Sequence, residues 1–264
     1  MQQSTATARR APVRTVLVVV PAHDEQALVG RLLDSLTRSL DRTAEDAGGL
    51  SVRTVVVLDD CTDATGDVVA ERGYASLRCT DRCVGAARAA GVAHLLGGLS
   101  VARLEETLVL STDADCVLPP AWVLDHVAAA ADADVVLGRV VPRREDLDEV
   151  TWAAWQDRHP VGRWSVHGAS LGIRLPTYLT AGGFPARPVH EDALLVRRAL
   201  AAGAVRAHGP VVETSGRRDG RTSAGFAGYL RDLDARLDAR LDARLDAGLD
   251  AGREPADPRR EVVA

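Results

Sequence analysis

Asp113 and Asp115 stand one residue apart at the end of an apolar run, Thr107-Leu108-Val109-Leu110-Ser111. Two carboxylates so placed can reach one hard cation together, because oxygen ligands suit magnesium or manganese. Such a cation neutralises a diphosphate and stabilises it as a leaving group. A helix cap beside a surface carboxylate accounts for the same two residues equally well. Asp59 and Asp60 end a second run, Val52 to Leu58; they suit a metal, a phosphoryl group or a nucleoside, or a helix cap helped by Thr62 and Asp63. His190-Glu191-Asp192 sets three titratable groups in a row before a helix, where one carboxylate can act as general base or merely offset the helix dipole. Trp152, Trp155 and Trp164 lie between these acids, as packing residues or as a stacking platform for a sugar. Cys61 and Cys116 have no neighbours arranged for nucleophilic work and read as small packing residues.

The elements that must carry these residues alternate. Thr15 to Val20 is a continuous β-branched run, the pattern of a strand buried on both faces. A helix over about 26–40 follows, with Leu28, Leu32, Leu36 and Leu40 on one stripe. Strand Val52 to Leu58, a helix to about Arg72, a short strand Ala75 to Cys79 and a helix from Gly85 repeat the alternation. The strand Thr107 to Ser111 comes next, then a helix opened by Pro119-Pro120 and a strand over Asp134 to Val141. In open α/β sheets ligands bind beyond the carboxyl ends of strands, so loops 21–25, 59–63 and 112–116 are expected to converge on one crevice. The stretch Pro142 to Trp164 reads as a lid or acceptor loop, Ser165 to Arg174 as a further strand, and His190-Glu191-Asp192 as the head of a helix. From Leu233 the chain repeats Leu-Asp-Ala-Arg with a period of four, which drifts around a helix and places like charges at i,i+4. That predicts a frayed helix produced by tandem duplication, with no coiled-coil seam.

With 264 residues, 46% hydrophobic and 26% charged, the chain can bury a substantial core. All 32 basic residues are arginine, the net charge is -5 and no dense basic run tracks a phosphate backbone, so nucleic acid is not an expected partner. Four cysteines without CxxC pairing, no signal-peptide layout and no apolar stretch near the ~20 residues of a membrane span place the expected setting in the cytoplasm, peripheral at the inner membrane face where an acceptor is lipid-linked.

The ordered set Val-Val-Val-Pro-Ala-His-Asp-Glu, Val-Leu-Asp-Asp-Cys-Thr-Asp-Ala-Thr, Gly-Ala-Ala-Arg-Ala-Ala-Gly, Ser-Thr-Asp-Ala-Asp and His-Glu-Asp resembles the family 2 glycosyltransferases of the GT-A fold. The resemblance covers residues 14–215 and implies an α/β domain with a Rossmann-like, mostly parallel central sheet flanked by helices. A flexible leader, 1–13, precedes it and a helical, low-complexity tail, 216–264, follows. The resemblance further implies a nucleotide-sugar donor, a divalent metal (Mn or Mg) and an inverting transfer to an acceptor hydroxyl on a small molecule, a glycan or a lipid. Pro21, Ala22 and Glu25 would line the nucleoside pocket, Asp60 bond the base, and Arg88 lie near the base or diphosphate. Asp113 would face the ribose, Asp115 hold the metal and Asp192 act as base. Trp164, His167, Gly168 and Glu191 are the candidates for sugar or acceptor contacts. Where relatives have Gly-Ser after the paired aspartates this chain has Cys61-Thr62, with the Thr62 hydroxyl still able to cap; it has no asparagine and no Gln-x-x-Arg-Trp. A sugar-phosphate nucleotidyltransferase is the rival enzyme, though Pro21 to Glu25 lacks the glycine-rich basic loop expected of one. A non-catalytic nucleotide-sugar-binding protein of the same fold is the other alternative, and GxGxxG is missing for a dinucleotide oxidoreductase.

Overall fold

The β-branched run forms strand β1 (Thr15–Ala22), every residue of which is buried. Its alternation explains why: Val16, Val18 and Val20 enter one apolar cluster, while Leu17 and Val19 enter another on the opposite face. The computed structural model describes residues 10–220 and 225–251. After β1 the chain order is α1 (Val29–Asp46), β2 (Ser51–Asp59), α2 (Thr65–Glu71), β3 (Ser76–Cys79), α3 (Val84–Leu96), β4 (Thr107–Ser111), β5 (Cys116–Val117) and α4 (Trp122–Ala129). Then come β6 (Val135–Pro142), α5 (Glu149–Arg158), β7 (Leu171–Arg174), α6 (Leu175–Thr180), α7 (Glu191–Ala201), β8 (Arg206–Thr214) and α8 (Phe226–Ala251). The strands make one sheet in the order β3-β2-β1-β4-β7-β6-β8-β5. β1 pairs in parallel with β2 and β4, as do β2 with β3 and β6 with β8, while β7 runs antiparallel to β4 and β6, and β5 antiparallel to β8. This is a mixed α/β sheet with parallel pairings in the majority.

The described residues fall into two compact units, 10–146 with 161–216, and 147–160 with the described residues after 216. In the first, Leu32, Leu36 and Trp122 cover one face of the sheet, and Ala87, Leu95, Tyr178 and Leu195 cover the other. Helix α3 approaches so closely that a Cβ on Gly91 would lie 2.5 Å from Val19 Cγ1, which only glycine avoids. Arg10 is tied to Asp134 by two bonds of 2.7 Å. In the second unit, Asp148 caps α5 by accepting from Thr151 N at 2.8 Å. Trp152, Trp155 and His159 stack along α5, with Tyr229 of α8 edge-on to His159.

Several boundaries differ from those read in the sequence. α1 begins at Val29, because Asp24 is left-handed (φ 50°) and the chain turns through Glu25, whose carbonyl accepts from Leu28 N and Val29 N. The Pro142 to Trp164 stretch contains α5, and of Ser165 to Arg174 only β7 is strand, preceded by a 3-10 turn over Gly168–Ser170. Helix α8 runs unbroken through the Leu-Asp-Ala-Arg repeat. Most of the side chains on which its charge argument turned, at 238 and from 240 onward, lie outside the described residues, as do residues 1–9 of the leader. No helix among the described residues is long and apolar enough to cross a membrane.

His126 on α4 is fully buried, its Nδ1–H donating to the Trp122 carbonyl at 3.0 Å while Nε2 has no partner among the described residues. Burial pushes its pKa down from 6.5 to about 4. The unfolded chain therefore binds the extra proton first, and the stability that His126 contributes above pH 6.5 is lost as the pH falls towards 4. The loss across that window is expected to be roughly 3 kcal/mol. Urea midpoints at pH 7 and pH 5 should show a drop in the parent that His126→Gln largely removes; an equal drop in both would reject His126 as its source.

Candidate functional site

At the carboxyl ends of β1 and β2 two loops are laced together. Asp24 accepts from Thr62 N at 2.7 Å and Asp63 N at 3.2 Å, bonds that hold its carboxyl below the ordinary value. Asp63 in turn accepts from Gln26 N at 3.0 Å and Thr65 N at 2.9 Å. Thr62, expected as a cap, instead donates its hydroxyl to Asp24, and it is Asp63 that holds the head of α2. Pro21 and Ala22 are buried at the end of β1, and Glu25 is 6% exposed, its N–H donating to Thr65 Oγ1 at 2.7 Å.

The paired aspartates after β2 have separate surroundings. Asp59 is buried and accepts from Arg82 N and Cys83 N, both at 2.8 Å, which fixes the loop between β3 and α3. Its carbonyl accepts from His23 Nδ1–H at 2.6 Å. Asp60 is left-handed (φ 52°), and its partly exposed carboxylate pairs, among the described residues, with Arg82 Nη1 at 3.4 Å. Asp24, Asp60, Arg82 and His190 are the described non-glycine residues with positive φ, and all lie on loops at this end of the fold. Left-handed backbone costs on the order of 1 kcal/mol per residue and persists where surrounding contacts fix it, a pattern that clusters at binding sites.

The acids after β4 and those heading α7 meet on one cation. Arg88, on α3 and 3% exposed, bonds Glu191 through Nη1 and Asp113 through Nη2, while its Nε donates to Ser111 Oγ at 2.9 Å. Burial opposes the guanidinium charge, but Asp113, Glu191 and Asp192 together outweigh it and raise the Arg88 pKa. Glu191 is itself 3% exposed, and burial raises its carboxyl against the pull of Arg88. The main chain leaves room for this bridge only because residue 168 is glycine, since a Cβ there would lie 2.4 Å from Arg88 Nη2.

Gly168 also serves Asp192. Its N–H donates to Asp192 Oδ2 at 2.6 Å, and Ala193 N donates to Oδ1 at 2.6 Å, so the carboxylate is aimed from both oxygens in the first turn of α7. Asp115 accepts from Thr214 Oγ1 at 3.3 Å, and its carbonyl accepts from Ser215 N at 3.2 Å. Cys116 beside it is fully buried in the core, which pushes its thiol well above the ordinary value and keeps it protonated. The donors offered after β4 are thus carboxylate oxygens without a thiolate, a set that fits a hard divalent cation.

Arg88, Asp113, Gly168, Glu191 and Asp192 are therefore joined in one network, and Pro21, Ala22, Glu25 and Asp60 line the neighbouring strand ends. His167 lies one residue before Gly168, and its carbonyl accepts from Ser170 N at 3.1 Å. Trp164 stands apart. It is 37% exposed and stacks on His208 at 3.7 Å and 9°, with the Arg206 guanidinium 4.3 Å from its ring. Two site residues escaped the sequence reading. Ser111 was legible as the strand residue two before Asp113, but Thr214 lies on β8, whose Gly209-Pro210 pair hides the strand pattern.

A sequence profile described as Glycosyl transferase family 2 matches residues 17–184. No curated protein matches the chain. Among solved structures, S. aureus TarS 1–349 in complex with UDP superposes with a TM-score of 0.53 at 15% identity, over 78% of this chain and 61% of that one. S. aureus TarS in a longer form gives 0.52 at 17%, over 78% of this chain and 36% of that one, so this chain spans less than two thirds of either TarS chain. Glucosyl-3-phosphoglycerate synthase from Mycobacterium tuberculosis, in complex with Mn2+, UDP and glucosyl-3-phosphoglycerate, gives 0.51 at 19%, over 86% of this chain and 80% of that one. At such identities the likeness is one of fold, a GT-A α/β arrangement.

Proposed function

The chain belongs to glycosyl transferase family 2, and from that premise we propose that it moves a sugar from a nucleoside-diphosphate sugar to an acceptor hydroxyl with inversion, Asp192 acting as general base. The observation that carries this reading is the Arg88 bridge: one buried guanidinium ties Asp113, of the acidic pair after β4, to Glu191, next to Asp192 at the head of α7. Acids of two strand and helix ends are thereby set at a fixed separation, as a donor on one side and an attacking hydroxyl on the other require.

The donor's nucleoside is assigned to Pro21, Ala22, Glu25 and Asp60, the last being the aspartate of its pair left available once Asp59 is committed to the backbone of Arg82 and Cys83. Asp113 is assigned to the ribose, with Arg88 as the positioning residue behind it. Asp115 would hold manganese or magnesium, which when bound neutralises the leaving diphosphate. In the reaction the acceptor oxygen attacks the anomeric carbon, its proton passes to an Asp192 oxygen, and the bond to the diphosphate breaks with the electron pair leaving on the nucleotide. His167, Gly168 and Glu191 border the place of attack; Trp164, already stacked on His208, is assigned to the acceptor side. The fold neighbours solved with UDP and with Mn2+ support the donor and metal assignments by analogy.

Calorimetry with manganese and a panel of UDP, GDP and dTDP sugars is expected to show binding of at least one donor, with slow hydrolysis of it. Adding a chelator should weaken that binding at least tenfold, about 1.4 kcal/mol. No heat with any donor would defeat the reading, and unchanged affinity after chelation would remove the metal from it.

A further inference from the structure

Arg31 and Arg38 are seven residues apart on α1 and project from the same side of the helix. With Val117 of β5, Glu213 of β8, and Arg143 and Glu145 just after β6, they line a cleft of about 290 Å³. Asp34 reaches it too, but its carboxylate is taken by Arg72 at 2.9 Å. Arg143 is 6% exposed, yet of its guanidinium nitrogens only Nη2 has a partner among the described residues, Asp146 at 3.1 Å, and the buried Nε has none. A guanidinium removed from water is costly unless its donors are met. The side chains of Arg31, Arg38, Glu145 and Glu213 enter no ion pair or hydrogen bond among the described residues, although they share one cleft.

Three guanidiniums and two uncommitted carboxylates thus face a cavity with a single apolar wall residue. We infer that the cleft binds a small molecule that carries both an oxyanion, phosphate or carboxylate, and hydroxyl groups. The planar fork of arginine matches an oxyanion bidentately, and Arg143 supplies the desolvated contact while Arg31 and Arg38 close on the anion from α1. Glu145 and Glu213, as carboxylates, can only accept; they accept hydrogen bonds from the ligand's hydroxyl groups and repel a second anionic group. At ~30 Å³ for a water-sized group, the cleft holds roughly ten such groups, the size of a short polyol phosphate. None of these residues is among those given a donor or base role.

The test is calorimetry on the full chain with inorganic phosphate, glycerol and glycerol 3-phosphate. Glycerol 3-phosphate is expected to bind at least tenfold tighter than phosphate, and glycerol alone to give no heat. Arg31→Gln and Arg38→Gln, both at exposed positions on α1, should each weaken both anions about tenfold, while Glu213→Gln weakens glycerol 3-phosphate and leaves phosphate no weaker. Nucleotide sugar titrated into the same variants should bind as it does to the parent, which separates failure of this site from failure of the transferase reading. Absence of heat with both anions, equal affinities for the two, or unchanged affinity in the two arginine variants would each overturn the proposal.

Discussion

Asp192→Asn is expected to lower sugar transfer by about two to four orders of magnitude while leaving donor affinity within a factor of a few. The asparagine keeps the size and one acceptor oxygen of the aspartate, so one of the two backbone bonds, from Gly168 N or Ala193 N, survives. It cannot accept the acceptor's proton. The other N–H then faces an amide NH2, which costs about 1 kcal/mol of stability and leaves the fold intact. Initial rates at saturating donor, read beside a calorimetric donor titration and a melting curve, distinguish a lost base from a lost pocket. Transfer at the parent rate would place the base elsewhere. Glu191 is the poorer candidate for that role, because it is buried against Arg88 whereas Asp192 is partly exposed.

How far the sequence could be read depended on the range of the interactions involved. β4 matches its apolar run residue for residue, and the run Thr15 to Val20 falls inside β1, because burial on both faces leaves a signal in every position. α5 was missed although Asp148 stands three residues before Thr151 and Trp152, Trp155 and His159 follow at helical spacing, because tryptophan and histidine fit a binding loop as readily as a helix. β8 was missed for a different reason: its burial alternates, but the phase flips at Gly209-Pro210, beside a register shift with β6, so no single period-2 pattern runs through it.

The loops at the strand ends were legible as a set of acids, but not in their division of labour. Nothing local distinguishes Asp59 from Asp60; the difference comes from β3 and the start of α3, whose N–H groups at Arg82 and Cys83 reach only the first. Arg88 shows the same limit. Its motif suggested a diphosphate contact, while its partners Ser111, Asp113 and Glu191 are brought to it by the sheet order and by the docking of α7, contacts 23 to 103 residues away in the chain.

That bridge makes Arg88 the residue whose loss should cost the fold most. Arg88→Met removes the cation from two bonded acids, one of them, Glu191, buried with no other ion-pair partner among the described residues. Breaking a buried pair from one side typically destabilises by about 3 to 5 kcal/mol, a large part of the ~5–15 kcal/mol that holds a domain together. Arg88→Lys should recover little, since an ammonium cannot present a planar fork to Ser111, Asp113 and Glu191 at once. Arg88→Met with Glu191→Met should recover most of the loss, because the buried acid leaves with its partner and Asp113 is exposed enough to stay hydrated. Urea unfolding of the two single variants and the double gives the coupling directly. Equal stability of Arg88→Met and the parent would show that the bridge holds nothing. The double variant, folded again, should still transfer poorly, because methionines cannot keep the acids after β4 and the head of α7 in register. Stability and rate would then part company in one protein, which is the behaviour of a positioning residue and not of a core one.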